Sequence, residues 1–178
     1  MTQNYEDHVI FKRRSLRKFI PDKPVEKEKL DFILRAAMQS PSTKNKQPWE
    51  FLVIDDKNII DEIVPFQKKY ALLAKAPLTV IVLANKELSH KAEDGSYYWF
   101  PFDVSCAIEN LQLAVTEVGL GTVWLSCYPK MDQVEKLQAH FNLPEHIIPF
   151  AVMPVGYTED ESRFKDRYDE TKIHYNKY

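Results

Sequence analysis

The residues of this sequence best suited to binding chemistry are its arginines, which are concentrated near the two ends of the chain. Six arginines occur, and five of them lie within residues 11–19 and 163–167. Arginine carries a planar fork of donors that binds phosphate in a bidentate manner, whereas lysine, which is spread along this chain, is a compact point charge. With the hydroxyl of Ser15 between Arg14 and Arg17, one interpretation is that the two segments meet at a single anion.

Two other interpretations of residues 11–19 stay open on this pattern alone. A row of basic residues is also typical of a solvated helix face, and a short basic tract can bind nucleic acid. The formal net charge of -2 for the whole chain and the apolar Leu16, Phe19 and Ile20 between the charges disfavour nucleic acid. Such a segment is expected to pack on the protein rather than to extend from it.

The common catalytic and cofactor-binding motifs are missing from the sequence. The four glycines form neither a G-x-G-x-x-G fingerprint nor a P-loop, and the five histidines occur singly, without an H-E-x-x-H pair. There is also no G-x-S-x-G elbow. We therefore expect no metal ion. The two cysteines, Cys106 and Cys127, lie in apolar segments and are predicted to be buried thiols in a reducing compartment.

Hydrophobic periodicity indicates the elements that must position these residues. It predicts helices over 28–39, 58–64, 66–74, 103–118 and 131–141, and strands over 49–54, 78–84, 122–128 and 147–155. The run 78–84 is typical of a strand buried on both faces, whereas Pro149 and Pro154 predict that the last strand lies at an edge or carries a bulge. Helix 103–118 is apolar around nearly its whole circumference, as in a helix at the centre of a dimer.

Length and the order of elements predict one domain. At 178 residues, with alternating helices and strands, the chain is expected to form a single domain over 1–178 of the α/β or α+β class. The absence of a signal-peptide pattern and of an apolar run long enough to cross a bilayer predicts a cytoplasmic protein without a membrane segment. The charged and aromatic tail after Gly156 is expected to lie on a surface, such as that of a partner subunit.

Four groups of residues follow one another in an order that resembles a known family. Residues 13–19, RRSLRKF, and residues 41–51, PSTKNKQPWEF, closely resemble the R-x-S-x-R-x-F and P-S-x-x-N-x-Q-P-W-x-F signatures of the FMN-dependent nitroreductase family. Residues 109–126 are similar to the central helix of that family and the strand after it. Residues 156–157 and 165–167 resemble its terminal G-Y and K-x-R elements. The resemblance covers essentially the whole chain.

The resemblance implies an α+β fold, a three-layer α/β/α sandwich in which helices flank a central mixed, mostly antiparallel sheet. It also implies a homodimer with exchanged C-terminal tails and one FMN in each of two sites at the subunit interface. The FMN-binding residues that it implies are Arg13, Arg14, Ser15 and Arg17 in the first motif, Pro41, Ser42, Thr43 and Asn45 from the other subunit, Leu125 and Ser126 at the flavin ring, and Lys165 and Arg167 at the phosphate. Among these, Arg17 is expected at the N1/C2 oxygen edge, where a positive charge stabilises the reduced flavin.

The function that the resemblance implies is that of an NAD(P)H-dependent FMN oxidoreductase. NADH or NADPH would pass a hydride to flavin N5 in a ping-pong cycle, and an electron-poor small molecule, such as a nitroaromatic, a quinone, an enone or a flavin, would then accept it. No single catalytic side chain is expected, because FMN carries the chemistry. An alternative is a dimeric FMN-binding or flavin-handling protein without NAD(P)H-driven turnover.

Several residues are candidates to contact the substrate. They are Phe66, Lys69 and Tyr70, followed by the aromatic residues Tyr97, Tyr98, Trp99 and Phe100. Stacking against a flat substrate is one interpretation of the aromatic residues, and packing in the core or at a dimer interface is the other. For Lys69, the other interpretation is a solvated position on the surface.

Overall fold

Helices and strands alternate along the chain, and most of them begin and end within a few residues of the predicted bounds. The computed structural model describes residues 5–162 and 164–178, so Arg163 of the second arginine cluster lies outside the described residues. The α-helices are α1 (Val9–Lys12), α2 (Lys27–Met38), α3 (Lys57–Ile63), α4 (Phe100–Glu117) and α5 (Met131–His140). The strands are β1 (Trp49–Ile54), β2 (Leu78–Asn85), β3 (Gly121–Thr122), β4 (Leu125–Ser126) and β5 (Ile147–Gly156). Lys68–Lys75, predicted as a helix, is a 3₁₀-helix.

The strands form one sheet with the order β1-β2-β5-β3, and β4 also pairs with β5. Each of these strand pairs is antiparallel, which confirms the predicted α+β arrangement around a mostly antiparallel sheet. Strand β2 is buried along its length up to Asn85, as its run of β-branched residues predicts for a strand covered on both faces. Helix α4 packs against β2 and α2, and α5 packs against β5.

Strand β5 lies inside the sheet, so of the two alternatives that its prolines predicted, an edge or a bulge, the structure has the bulge. All ten of its residues are buried, between β2 on one side and β3 and β4 on the other. The predicted bulge is present, because Ala151 pairs with Val82 while Pro149 pairs with Leu83, and Phe150 is left out of the register. The carbonyl of Phe150 instead accepts the backbone N–H groups of Cys127 (3.0 Å) and Tyr128 (3.2 Å).

The predicted strand 122–128 is divided into β3 and β4, with Val123 and Trp124 between them. Trp124 packs on Phe150, with ring centroids 6.2 Å apart. Gly121 in β3 is a position of close approach. A Cβ there would lie 2.9 Å from Thr158 Cγ2 and 3.1 Å from Leu16 Cβ. Glycine therefore lets the basic stretch and the segment after β5 come together on β3.

Helix α4 is buried on one side and exposed on the other within this chain. Phe102, Cys106 and Glu109 are exposed and lie at helical spacing on one face, whereas Val104, Ile108 and Leu111 are fully buried. The prediction that Cys106 is buried is therefore wrong. Apolar residues occur around the whole helix, so the sequence did not show which face packs against the core. Cys127 is buried as predicted. No helix in the described ranges is long and apolar enough to cross a bilayer.

Candidate functional site

The basic stretch is an extended segment held between β3 and the residues that follow β5. Leu16 N donates to Thr122 O (3.0 Å), and Ile20 N donates to Tyr157 O (2.9 Å). Helix α1 ends at Lys12, so the interpretation as a solvated helix face is wrong, and the expectation that the segment packs on the protein is confirmed. The backbone fixes the positions of the arginines before any ligand binds.

Asp160 fastens this segment from the C-terminal side, and nothing in the sequence pattern singled it out. Its Oδ2 accepts the backbone N–H groups of Arg17 (2.8 Å) and Lys18 (3.1 Å). The hydrogen bond from the Arg17 backbone is the main reason why the pKa of Asp160 lies below its ordinary value. The two backbone groups that Asp160 accepts lie more than 140 residues earlier in the chain. Its role could therefore be recognised only from the folded structure.

Arg14 is half-buried in this segment. Its Nη1 donates to Arg13 O (2.6 Å), while its Nη2 is buried and has no hydrogen-bond partner within residues 5–162 and 164–178. Burial lowers the pKa of the Arg14 guanidinium, and the positive charges of Arg167 and Arg13 lower it further. Arg14 is therefore acted on by a guanidinium group from each end of the chain, and its own Nη2 lacks an acceptor among the described residues.

A cavity of about 790 Å³ opens beside Arg14. Ser15 and Lys165, which the resemblance also assigns to FMN binding, line it together with Arg14. Three carboxylates, those of Glu159, Asp160 and Glu161, line it too, and the Oδ2 of Asp160 is already occupied by backbone donors. The two basic ends of the chain thus meet at one cavity.

Arg13 and Arg17 flank this cavity without lining it. Arg13 Nε lies 3.5 Å from Glu109 Oε1 on α4, and Glu109 Oε2 also accepts Gln112 Nε2 at 3.1 Å. The guanidinium of Arg17 is exposed, and its Nη1 donates to Ser15 O (3.1 Å). Arg13 is therefore held by a carboxylate, whereas Arg17 is tied only to its own segment through its side chain.

The second motif, residues 41–51, begins with a tightly wound loop. Lys44, Asn45 and Gln47 have φ values of 54°, 55° and 50°, in the left-handed region that costs a non-glycine residue about 1–2 kcal/mol. Gln47 N donates to Ser42 Oγ (2.9 Å) and Gln47 Nε2 to Asn45 Oδ1 (3.0 Å). Pro41 is exposed at the start of the loop. A strained backbone of this kind persists only where the surrounding structure fixes it.

Asp103, a second residue that the sequence reasoning missed, holds this loop on α4. Its Oδ1 accepts both Thr43 N (2.8 Å) and Thr43 Oγ1 (3.1 Å), and its side chain is buried in the first turn of the helix. Glu109, which binds Arg13, lies six residues later, a separation of about 9 Å along the axis and about 120° around it. The loop and the basic segment are thus attached to different sides of α4, and no residue of 41–47 lines the cavity beside Arg14.

Strand β4 and the 3₁₀-helix Lys68–Lys75 meet at a third part of the predicted site. Leu125 is buried and Ser126 is exposed, and the carbonyl of Ser126 accepts a hydrogen bond from Lys69 Nζ. Burial lowers the pKa of Lys69. Lys69 is therefore half-buried and bonded to β4, which differs from the solvated position that was the other interpretation of this residue.

Tyr70 belongs to the core, which argues against its predicted contact with substrate. Its side chain has 0% exposure, and its hydroxyl lies 3.1 Å from Cys127 Sγ. Burial raises the pKa of both groups, that of Cys127 to about 11, so this thiol stays protonated near neutral pH. Phe66 is half-buried and packs edge-on against His140, with centroids 5.3 Å apart.

The aromatic residues before α4 divide between core and surface. Phe100 is buried, which matches the packing interpretation, and its ring lies 5.4 Å from that of Tyr128. Tyr98 and Trp99 are exposed, and Tyr97 is half-buried against the core. The described residues contain no group of three or more His, Cys, Asp or Glu side chains arranged to hold a metal ion.

Comparison with known proteins assigns the chain to a family. The model of the Nitroreductase family matches residues 10–83 and 66–157, which together span the basic segment, the strained loop, α4 and the sheet. This chain belongs to the nitroreductase family. The family that the motifs predicted is thereby confirmed.

Three nitroreductase relatives illustrate the similarity. A protein of Methanothermobacter thermautotrophicus named "Putative NADH dehydrogenase/NAD(P)H nitroreductase" is 37% identical over 93% of this chain and 84% of its own. The crystal structure of a "Putative NADH Oxidase" from Clostridium acetobutylicum has a TM-score of 0.87 and 42% identity, and covers 96% of this chain and 99% of that one. An "FMN-dependent Nitroreductase" from Clostridium difficile R20291 has a TM-score of 0.83 and 31% identity, with 96% and 98% covered.

Proposed function

We propose that this protein is an FMN-dependent NAD(P)H oxidoreductase of the nitroreductase type. It takes electrons from NADH or NADPH and passes them to an electron-poor small molecule such as a nitroaromatic, a quinone, an enone or a free flavin. The observation that carries the proposal is the cavity beside Arg14, where guanidinium groups from both ends of the chain come together around an unsatisfied donor.

The residues at this cavity fit the phosphate dianion of FMN. The buried Nη2 of Arg14 requires an acceptor, and a phosphate oxygen supplies one through a charge-assisted hydrogen bond. A dianion would also offset the repulsion of the Arg14 guanidinium by the positive charges of Arg167 and Arg13. Ser15 and Lys165 add a hydroxyl and an ammonium group along the same wall. Arg14, Ser15 and Lys165, which come from two distant segments, thus complement one ligand group.

The remaining family positions would surround the rest of the cofactor. Arg17 has an exposed guanidinium that is free to face the ring edge, where its charge stabilises added electron density. The backbones of Leu125 and Ser126 would lie along the ring, with Lys69 fixed beside them through Ser126 O. Bound FMN would supply the redox chemistry, accepting hydride from the nicotinamide and delivering it to the acceptor.

The site is completed by a second copy of the chain. Residues 41–45 are attached to a different side of α4 from the arginines, so within one chain they do not reach the cavity beside Arg14. Large apolar side chains on α2 and α4, those of Phe32, Met38 and Phe102, are exposed, and such a surface is typical of a subunit interface. A homodimer with exchanged tails, in which the exposed Tyr168 and Tyr175 find a covering surface, satisfies both observations.

The experiment that tests the proposal is the visible spectrum of the purified protein, followed by anaerobic mixing with NADH or NADPH. Flavin bands, release of FMN on denaturation and bleaching by either nicotinamide would support it. Bound FMN that neither donor bleaches would favour the alternative, a dimeric flavin-binding or flavin-handling protein. A colourless protein that cannot be reconstituted with FMN would overturn both.

A further inference from the structure

Asp103 is a buried carboxylate for which no family motif accounts. It is 4% exposed, it lies in the first turn of α4, and its Oδ1 receives both hydrogen bonds that Thr43 donates. Its Oδ2 is buried as well and accepts nothing from the described residues. A carboxylate is costly to bury, and the first turn of a helix is where the backbone dipole offsets part of that cost.

The loop over 42–47 depends on this carboxylate for its position. Its own hydrogen bonds, such as Asn45 N to Ser42 O (3.0 Å) and Lys46 N to Thr43 O (3.1 Å), join residues within the loop and do not fix the loop to another element. In the described part of the chain, the hydrogen bonds that tie 42–47 to another element are those from Thr43 to Asp103. A loop with three left-handed residues would relax if this attachment were lost.

We infer that Asp103 is a positioning residue of the flavin site, which holds residues 41–45 in the conformation that they present to the FMN of the partner subunit. This inference rests on the proposed function. In this role Asp103 acts through Thr43, from which its Oδ1 accepts two hydrogen bonds. Because α4 also carries Glu109, the ion-pair partner of Arg13, the same helix sets the distance between the two halves of the site that one chain contributes.

A test that requires no cofactor is tryptic cleavage of the full-length protein after removal of flavin. The loop carries two exposed cleavage sites, Lys44 and Lys46, and Lys136 in α5 serves as a reference that is cleaved only on wider unfolding. For Asp103→Ala, we expect cleavage in the loop to accelerate roughly 10- to 100-fold relative to the reference site, as the loss of two hydrogen bonds to a carboxylate predicts. If the ratio of the loop cleavage rate to the Lys136 cleavage rate is the same in the variant and the wild type, the inference is wrong.

Two further variants separate positioning from general destabilisation. Asp103→Asn keeps an acceptor oxygen for Thr43 and places its amide where Oδ2 accepts nothing, so loop cleavage should stay close to that of the wild type. Ser105→Ala is the matched control on the same helix, since its hydroxyl donates to Pro101 O and is remote from the loop hydrogen bonds. If Asp103→Ala fails to fold, Thr43→Val removes one of the two hydrogen bonds and should give a smaller increase in the same direction.

A second measurement, of FMN retention and flavin reduction, tests whether the loop over 42–47 contributes to the flavin site. In the flavin-loaded dimer, Asp103→Ala should weaken FMN retention and slow flavin reduction by NADH, and Asp103→Asn should restore both. Faster loop cleavage with unchanged FMN affinity and reduction would refute the role at the flavin site while leaving the proposed function intact. A wild-type protein that does not bind FMN would refute the proposed function, and the cleavage ratios would still decide whether Asp103 holds the loop.

Discussion

Substitution of Arg14 by alanine is expected to weaken FMN binding about 100-fold without destabilising the flavin-free protein. The Nη2 group of the guanidinium can donate one charge-assisted hydrogen bond to a phosphate oxygen, and such a bond contributes up to about 3 kcal/mol. Its buried Nη2 has no hydrogen-bond partner among the described residues, and its charge is repelled by Arg167 and Arg13. Loss of the hydrogen bond to Arg13 O, worth about 1 kcal/mol, is therefore offset by removal of an unsatisfied donor of similar cost.

The assay is titration of the flavin-free protein with FMN and with riboflavin, which lacks the phosphate, together with thermal unfolding of each variant. Arg14→Ala should raise the Kd for FMN and leave that for riboflavin nearly unchanged. Arg35→Ala, which removes an exposed arginine from α2, is the matched control and should alter neither. Unchanged FMN affinity in Arg14→Ala, or an equal loss for both flavins, would refute the assignment of this cavity to the phosphate.

Three other substitutions test the neighbouring parts of the site. Arg17→Ala should strongly slow flavin reduction by NADH or abolish FMN retention, which stopped-flow and spectral measurements would detect; full activity with tightly bound FMN would contradict its role. Asp160 has a lowered pKa, so Asp160→Asn should reduce the free energy of unfolding at pH 7, and urea titrations should show this difference vanish as the pH falls below about 4. Gly121→Ala should cost about 1–3 kcal/mol in the same titrations, because its Cβ would meet Thr158 Cγ2 at 2.9 Å; wild-type stability would show that the segments there can separate.

The sequence predicts most of the elements because their patterns are strong and local. The β-branched run in β2 and the helical spacing in α2 are each sufficient to define an element. Where the pattern is ambiguous, the prediction fails for a physical reason. Helix α4 is apolar on nearly every side, so the exposure of Cys106 could not be recognised. Pro149 and Pro154 in β5 were compatible with an edge or a bulge, and only the folded sheet shows that it is the bulge.

The site divides in the same way between what motifs predict and what only the fold provides. Arg14, Ser15 and Lys165 were expected from motifs and line one cavity. Asp103 and Asp160 were not expected, because an isolated aspartate resembles a solvated surface residue until its partners are known. Their partners are backbone or hydroxyl groups about 60 and 140 residues away in the chain, and no local pattern records such contacts.

The attachment of the basic segment to the residues after β5 sets the order of events during synthesis. The hydrogen bond from Arg17 N to Asp160 cannot form until Asp160 has been synthesised, 143 residues later. At typical translation rates, this interval lasts roughly 10–30 s. During this interval the N-terminal arginines have been synthesised but lack the segment after β5 that holds them, and Lys165 and Arg167 have not yet been added to the chain. The cavity beside Arg14 can therefore form only after Lys165 has been synthesised, and we expect FMN to bind after that point rather than before it.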